Sequence, residues 1–182
     1  PIRFDYVLGE KYRIVSTVVE DVIINGVFSH QAEILNRITV DVKDLRGDGG
    51  YLVCNFQTSE ESKSARRLFS WGQVYDSEFW RDRRGFYTIG DEYFMPIVRN
   101  VPVFPEGDLS VGATCTAEGE EVHDFRASFG IPEALRFPLD ASYRYLSDEV
   151  KGGKSFNVLE IKYTVFHRPG IFHPVPFYSR RI

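Results

Sequence analysis

Apolar and polar residues alternate with a period of two along most of this 182-residue chain, as strands do when they bury one face and wet the other. In residues 32 to 43, Ala32, Ile34, Ile38, Val40 and Val42 point one way while Glu33, Arg37, Thr39, Asp41 and Lys43 point the other. Upstream, Tyr12 to Ile24 is rich in β-branched residues on both faces and runs into Asn25-Gly26, a dipeptide suited to the positive φ angles of a tight hairpin turn. The run Gly47-Asp48-Gly49-Gly50 marks a second turn, after which Leu52, Cys54 and Phe56 share an inward face. Phe69, Trp71, Tyr75 and Phe79 keep one parity and predict a single long strand, turned back at Arg83-Arg84-Gly85 toward Phe86-Tyr87.

Prolines at 96, 102 and 105 interrupt regular pairing between Asp91 and Leu109, because each lacks an N–H for the ladder. Alternation resumes near Ala113, with Cys115 and Ala117 inside and Thr114, Thr116 and Glu118 outside. A last hairpin joins Leu139–Ser147 to Phe156–His167 through Lys151-Gly152-Gly153-Lys154, with Leu159, Ile161, Tyr163 and Val165 as a core face. The polar residues 59 to 67 predict either a helical turn capped by Ser59 or a loop, and residues 126 to 138 a short helical turn between Pro132 and Pro138. The pattern as a whole predicts an all-β chain of eight to ten strands, an antiparallel meander closed into a barrel or folded into a sandwich, with very little helix. No repeat or low-complexity linker divides it, so a single β-rich domain over residues 1 to 182 is expected.

Composition narrows the function classes. Apolar residues at 43% and charged residues at 26% exclude wholesale disorder, and 15 Phe against one Met suits a sheet-rich core. A net charge of −4 argues against nucleic acid or an anionic membrane as partner, since both call for a concentrated basic face. The arginine clusters at 66–67, at 81, 83 and 84, and at 180–181 are expected on solvated faces. No apolar run approaches the roughly 20 residues of a membrane-spanning helix. The chain begins at Pro1 rather than Met, as a mature or trimmed chain does, and its aromatic tail from His173 to Ile182 reads as a cut through something longer. Cys54 and Cys115 fit no metal-ligand spacing; buried thiols are expected, with a single disulfide as the alternative.

Motifs for chemistry are sparse. No serine lies in Gly-x-Ser-x-Gly, neither cysteine has a recognisable histidine partner, and no phosphate-binding glycine loop occurs. No enzymatic activity and no cofactor are expected. Trp71 and Trp80, with Arg81, Arg83 and Arg84, could form a ligand-binding platform, since aromatic faces and guanidinium forks suit sugars and carboxylates; core packing and a solvated hairpin tip are the plainer reading. Glu121 and His123 would share a strand face and are weak candidates for a metal site.

Several blocks carry a family resemblance. Tyr12-Arg13-Ile14-Val15-Ser16-Thr17-Val18 with Glu20-Asp21-Val22, Ser29 through Asn36, Glu78-Phe79-Trp80-Arg81-Asp82, Tyr93-Phe94-Met95-Pro96, Val98 through Pro105, Thr116 through Asp124 and Phe129 through Glu133 together resemble the amino-terminal region of spirochaetal (Treponema-like) OmpA-family proteins, over most of residues 3 to 169. Cys115 departs from the tryptophan expected there in relatives. In that family a β-rich module precedes an OmpA-like domain that binds peptidoglycan. The resemblance implies a non-enzymatic cell-envelope module in the periplasm, associated with the outer membrane. Its implied role is structural or protein-interacting, and its implied partners are envelope proteins or cell-wall components. The OmpA-like domain is expected after residue 182, so none of its peptidoglycan-binding residues carries over. A lipid- or glycan-binding β-barrel is the alternative.

Overall fold

The computed structural model describes residues 1–63, 68–72, 74–124, 126, 132–167 and 177–181. Among these are eleven strands: β1 (Lys11–Ile24), β2 (Val27–Arg46), β3 (Gly49–Ser62), β4 (Leu68–Trp71), β5 (Tyr75–Asp82), β6 (Tyr87–Ile89), β7 (Val98–Arg99), β8 (Thr114–His123), β9 (Leu135–Lys151), β10 (Lys154–His167) and β11 (Phe177–Arg181). One sheet has the order β1-β2-β3-β5-β6 with β4 beside β3, and the other has the order β11-β10-β9-β8-β7. The expected all-β antiparallel meander is therefore what the chain forms. Two compact units divide it, the first made of Tyr6–Trp80 and Ile89–Met95, the second of Pro1–Asp5, Arg81–Thr88 and Pro96–Ile182.

In the first unit, β1 pairs with β2 along its whole length, and Asn25 (φ 52) and Gly26 (φ 78) make the turn. Two successive positive φ angles define the primed turn whose twist matches the flanking strands. Even-numbered residues of β2 and β3 supply the core: Ala32, Val40 and Val42 with Leu52, Cys54 and Phe56 are buried. Ser77 and Phe79 of β5 and the following Met95 are buried too.

Two expectations are corrected here. The long strand through Phe69, Trp71, Tyr75 and Phe79 is two strands, because β4 pairs with Ser59–Ser62 of β3 and the chain then breaks at Gly72. The Gly72 N–H donates to the Thr58 carbonyl at 2.8 Å, and a Cβ there would collide with the Thr58 hydroxyl. Phe79 is buried while Phe69 and Trp71 are 58% and 70% exposed. The helical turn from Ser59 is likewise absent over Ser59–Ser62, which belong to β3, since β2 offers Leu35 through Ala32 as ladder partners; residues 64–67 lie outside the described residues, as does the Arg66-Arg67 pair.

In the second unit, β9 alternates strictly from Phe137 to Leu146 between buried and exposed. Phe137, Leu139, Ala141, Tyr143 and Val165 form its core cluster, with Cys115 and Ala117 packed against it. The alternation starts at Leu135, so Leu135–Pro138 is strand rather than the end of a helical turn, while residues 127–131 lie outside the described residues. Cys115 and the first unit's Cys54 are both thiols, not joined to each other, and burial raises the Cys115 pKa. The proline-rich connection is fitted rather than regular: it holds only the two-residue β7, yet Arg99, Val103 and Phe104 are buried.

The turn after β5 is held by one carboxylate. Asp82 Oδ1 accepts from the N–H groups of Arg84, Gly85 and Phe86 at 2.9, 2.7 and 2.9 Å. Gly85 has φ 111, and a Cβ on it would collide with the Pro102 carbonyl oxygen. Strain and collision act together there, so Gly85→Ala is expected to lower stability by about 2–4 kcal/mol in urea denaturation. Gly107→Ala, where a Cβ meets nothing within 4 Å, is the reference and should lie within about 0.5 kcal/mol of the parent. Equal behaviour of the two variants contradicts the close approach.

Candidate functional site

Since β3 and β5 bury Leu52, Cys54, Ser77 and Phe79, their opposite parity must face outward. That places Tyr51, Glu78 and Trp80 together on the outer side of the first unit, half-buried. Tyr51 Oη donates to Glu78 Oε2, and Tyr93 Oη donates to Glu78 Oε1 at 3.0 Å. The Tyr51 and Trp80 ring centroids are 5.1 Å apart, and the Arg46 guanidinium lies 5.1 Å from the centre of the Trp80 ring. Farther along this face Asn55 donates to Asp76 at 2.7 Å.

The electrostatics follow from that one carboxylate. Two donated hydroxyls hold Glu78 below the usual carboxylate range. The hydrogen bond to Glu78, with burial behind it, pushes the Tyr51 hydroxyl up to about 12, and the same carboxylate raises Tyr93. At neutral pH Glu78 is charged and both tyrosines keep their protons. The result is an aromatic rim around a fixed negative charge, with its acid and base strengths moved away from neutrality.

Trp71 belongs elsewhere in the same unit. It pairs with Ser59, its ring meets Phe69 edge-on at 5.4 Å, and Arg37 sits 5.5 Å over it while donating to Ser59 Oγ at 3.3 Å. Ser59 and Tyr51 are eight positions apart on β3, or ~26 Å at the usual rise per residue. Trp71 and Trp80 are therefore two separate aromatic positions, each with its own arginine, and not one platform.

The three arginines proposed for the platform lie in the second unit and are turned to other work. The Arg81 guanidinium lies 3.9 Å from the centre of the Phe4 ring and 5.7 Å from that of Tyr87. Arg83 Nε donates to the Phe4 carbonyl at 3.2 Å. Arg84 Nε donates to the Phe104 carbonyl at 2.9 Å and Nη1 to Glu106 at 3.2 Å. Together they fasten the first residues and the proline-rich connection to the turn that Asp82 holds.

Glu121 and His123 do meet. Glu121 is fully buried, Tyr163 Oη donates to its Oε1 at 2.8 Å, and His123 Nε2 lies 2.9 Å from its Oε2. Among the described residues no group of three or more His, Cys, Asp or Glu side chains converges as a metal site would require. The pair reads as part of the hydrogen bonding that a buried carboxyl group requires.

The signs of the shifts give a test. Glu78 has a lowered pKa in the fold, so its stabilising effect is complete above the unfolded range of about 4.3 and is lost as pH falls through the folded value. Glu78→Gln should be less stable than the parent at pH 7, with the difference shrinking below about pH 4. Tyr51 is raised, so its contribution is full below about 10 and is lost as pH climbs toward the folded value. Alkaline ultraviolet titration, read as the difference from Tyr51→Phe, should place its ionisation at about 12 in the parent and lower in Glu78→Gln. An ordinary tyrosine titration in the parent contradicts the hydrogen bond.

Comparison with protein-family models, with curated proteins and with solved structures finds no match.

Proposed function

We propose that this chain is a non-catalytic protein-interaction module of the cell envelope, and that the β1–β2 hairpin is its contact element. The observation that carries this reading is the hairpin's surface. Val15, Val19, Ile23, Ile24, Val27 and Phe28 are each more than half exposed. The pairing of β3 with β2 ends at Ala32, opposite Glu20 of β1, so beyond that point the ribbon has only two strands among the described residues. A two-stranded ribbon with apolar side chains in water is marginal by itself and gains by being covered.

The non-catalytic part rests on the sequence, which holds no recognisable catalytic motif; the Tyr51–Glu78–Tyr93 group is itself poorly suited to acid–base work at neutral pH, since its shifts run away from neutrality. The envelope setting, facing the periplasm ahead of an OmpA-like domain, rests on the sequence resemblance. A glycan-binding role is the second reading, favoured by the half-buried Trp80 with Tyr51 beside it and the Glu78 charge near by, because sugars stack on such rings and hydrogen-bond to carboxylates.

A photo-crosslinking residue placed at Val19 or Phe28 in intact cells should give discrete protein adducts, and one at the exposed Lys154 should give none. Purified sacculi should show no saturable binding of the chain. No hairpin adducts, together with sacculus binding that disappears in Trp80→Ala, would replace the interaction module with the glycan binder.

A further inference from the structure

The contact element has an open edge as well as an apolar surface. Among the described residues β1 stands at the end of its sheet, with β2 as its neighbour, so every second residue of its 14 turns an N–H and a C=O away from the sheet. Long exposed edges of this kind pair readily with another strand. What distinguishes this edge is the order of its charges: Lys11 and Arg13 lie at one end and Glu20 and Asp21 at the other, with Val15, Thr17 and Val19 between.

That order is self-complementary in one orientation. When two copies run antiparallel about a two-fold axis, opposed residues must both turn their backbone groups out or both turn them in, which leaves only registers centred on a residue. Centred on Thr17, Arg13 opposes Asp21, Val15 opposes Val19, and Thr17 opposes its own copy, each a favourable cross-strand pair. Centred one residue earlier, Lys11 falls opposite Asp21, but Arg13 falls opposite Val19 and Tyr12 opposite Glu20. In parallel pairing in register, each charge would meet its own copy.

The ion pairs within the chain favour the same register. Lys11 is already engaged, 3.2 Å from Asp41. Arg13 is exposed and has no ion-pair partner among the described residues, and Asp21 is oriented by Gln31 Nε2, which donates to its Oδ1 at 3.1 Å. We infer that the occupant of the β1 edge is the β1 edge of a second copy of this chain, antiparallel and centred on Thr17, joining two six-stranded sheets into one continuous sheet. This rests on the reading of the hairpin as a contact element and names its partner.

Sedimentation equilibrium of the purified chain tests it. The parent should associate to a dimer. Arg13→Asp should weaken that association about tenfold or more, because a carboxylate at that position faces the Asp21 carboxylate in both symmetric contacts, and Arg13→Asp with Asp21→Arg should restore it. Circular dichroism checks that each variant keeps its strands. Thr17→Cys should give a disulfide-linked dimer under mild oxidation, and Lys154→Cys should not. A parent that stays monomeric up to about 1 mM, a dimer that ignores Arg13→Asp, or a charge swap that fails to restore association each overturns the inference. A monomeric chain whose hairpin still gives adducts with a different protein in cells overturns self-pairing and leaves the interaction module standing. A monomer without adducts removes both.

Discussion

Because successive side chains of a strand point to opposite faces, burial of one parity dictates the placement of the other. β3 and β5 bury Leu52, Cys54, Phe56, Ser77 and Phe79, so Tyr51, Glu78 and Trp80 are carried to the outer face and brought side by side. The Glu78 carboxylate then has two tyrosine hydroxyls within reach and no need of a cation. The same rule works in the second unit, where the alternation of β9 sends Phe137, Leu139, Ala141 and Tyr143 inward and leaves Arg136 outside to pair with Glu120 at 2.8 Å. Where the rule finds no inward face, as along Arg13–Thr17 of β1, the residues stay exposed on both sides.

Several of the described arginines act as fasteners. Arg83 and Arg84 reach backbone carbonyls of Phe4 and Phe104, groups that irregular segments leave without ladder partners. Arg37 and Arg46 lie over tryptophan rings. A guanidinium serves all these purposes because its flat, weakly hydrated plane stacks while its edge donates.

Local chemistry was readable in the sequence, and long-range register was not. Asn25-Gly26, Gly47-Asp48 and Gly152-Gly153 turn the chain where their backbone freedom says they should. The break between β4 and β5 escaped the pattern because Trp71 and Tyr75 are four apart and keep their parity across the gap. Ser59–Ser62 read as loop or helix because both faces of that stretch are polar, and only the persistence of β2 beside it makes it strand. Trp80 could be picked out as an aromatic, but its partners could not: Tyr51 and Tyr93 lie 27 and 15 positions from Glu78, and nothing local announces them. Arg81, Arg83 and Arg84 looked like a solvated tip for the same reason, with their partners as far away as Phe4.

The separation of Trp71 and Trp80 has an optical consequence. These are the two tryptophans of the chain, and they lie on different strands beside opposite ends of β3, the first largely open to water and the second packed between a tyrosine and an arginine. Indole emission depends on local polarity, so the two should fluoresce at different wavelengths and respond independently. Changes at the Ser59 end of β3 would reach Trp71, and changes at the Tyr51 end would reach Trp80. The first unit thus carries its own pair of local reporters, which single replacements by phenylalanine would separate without any added label.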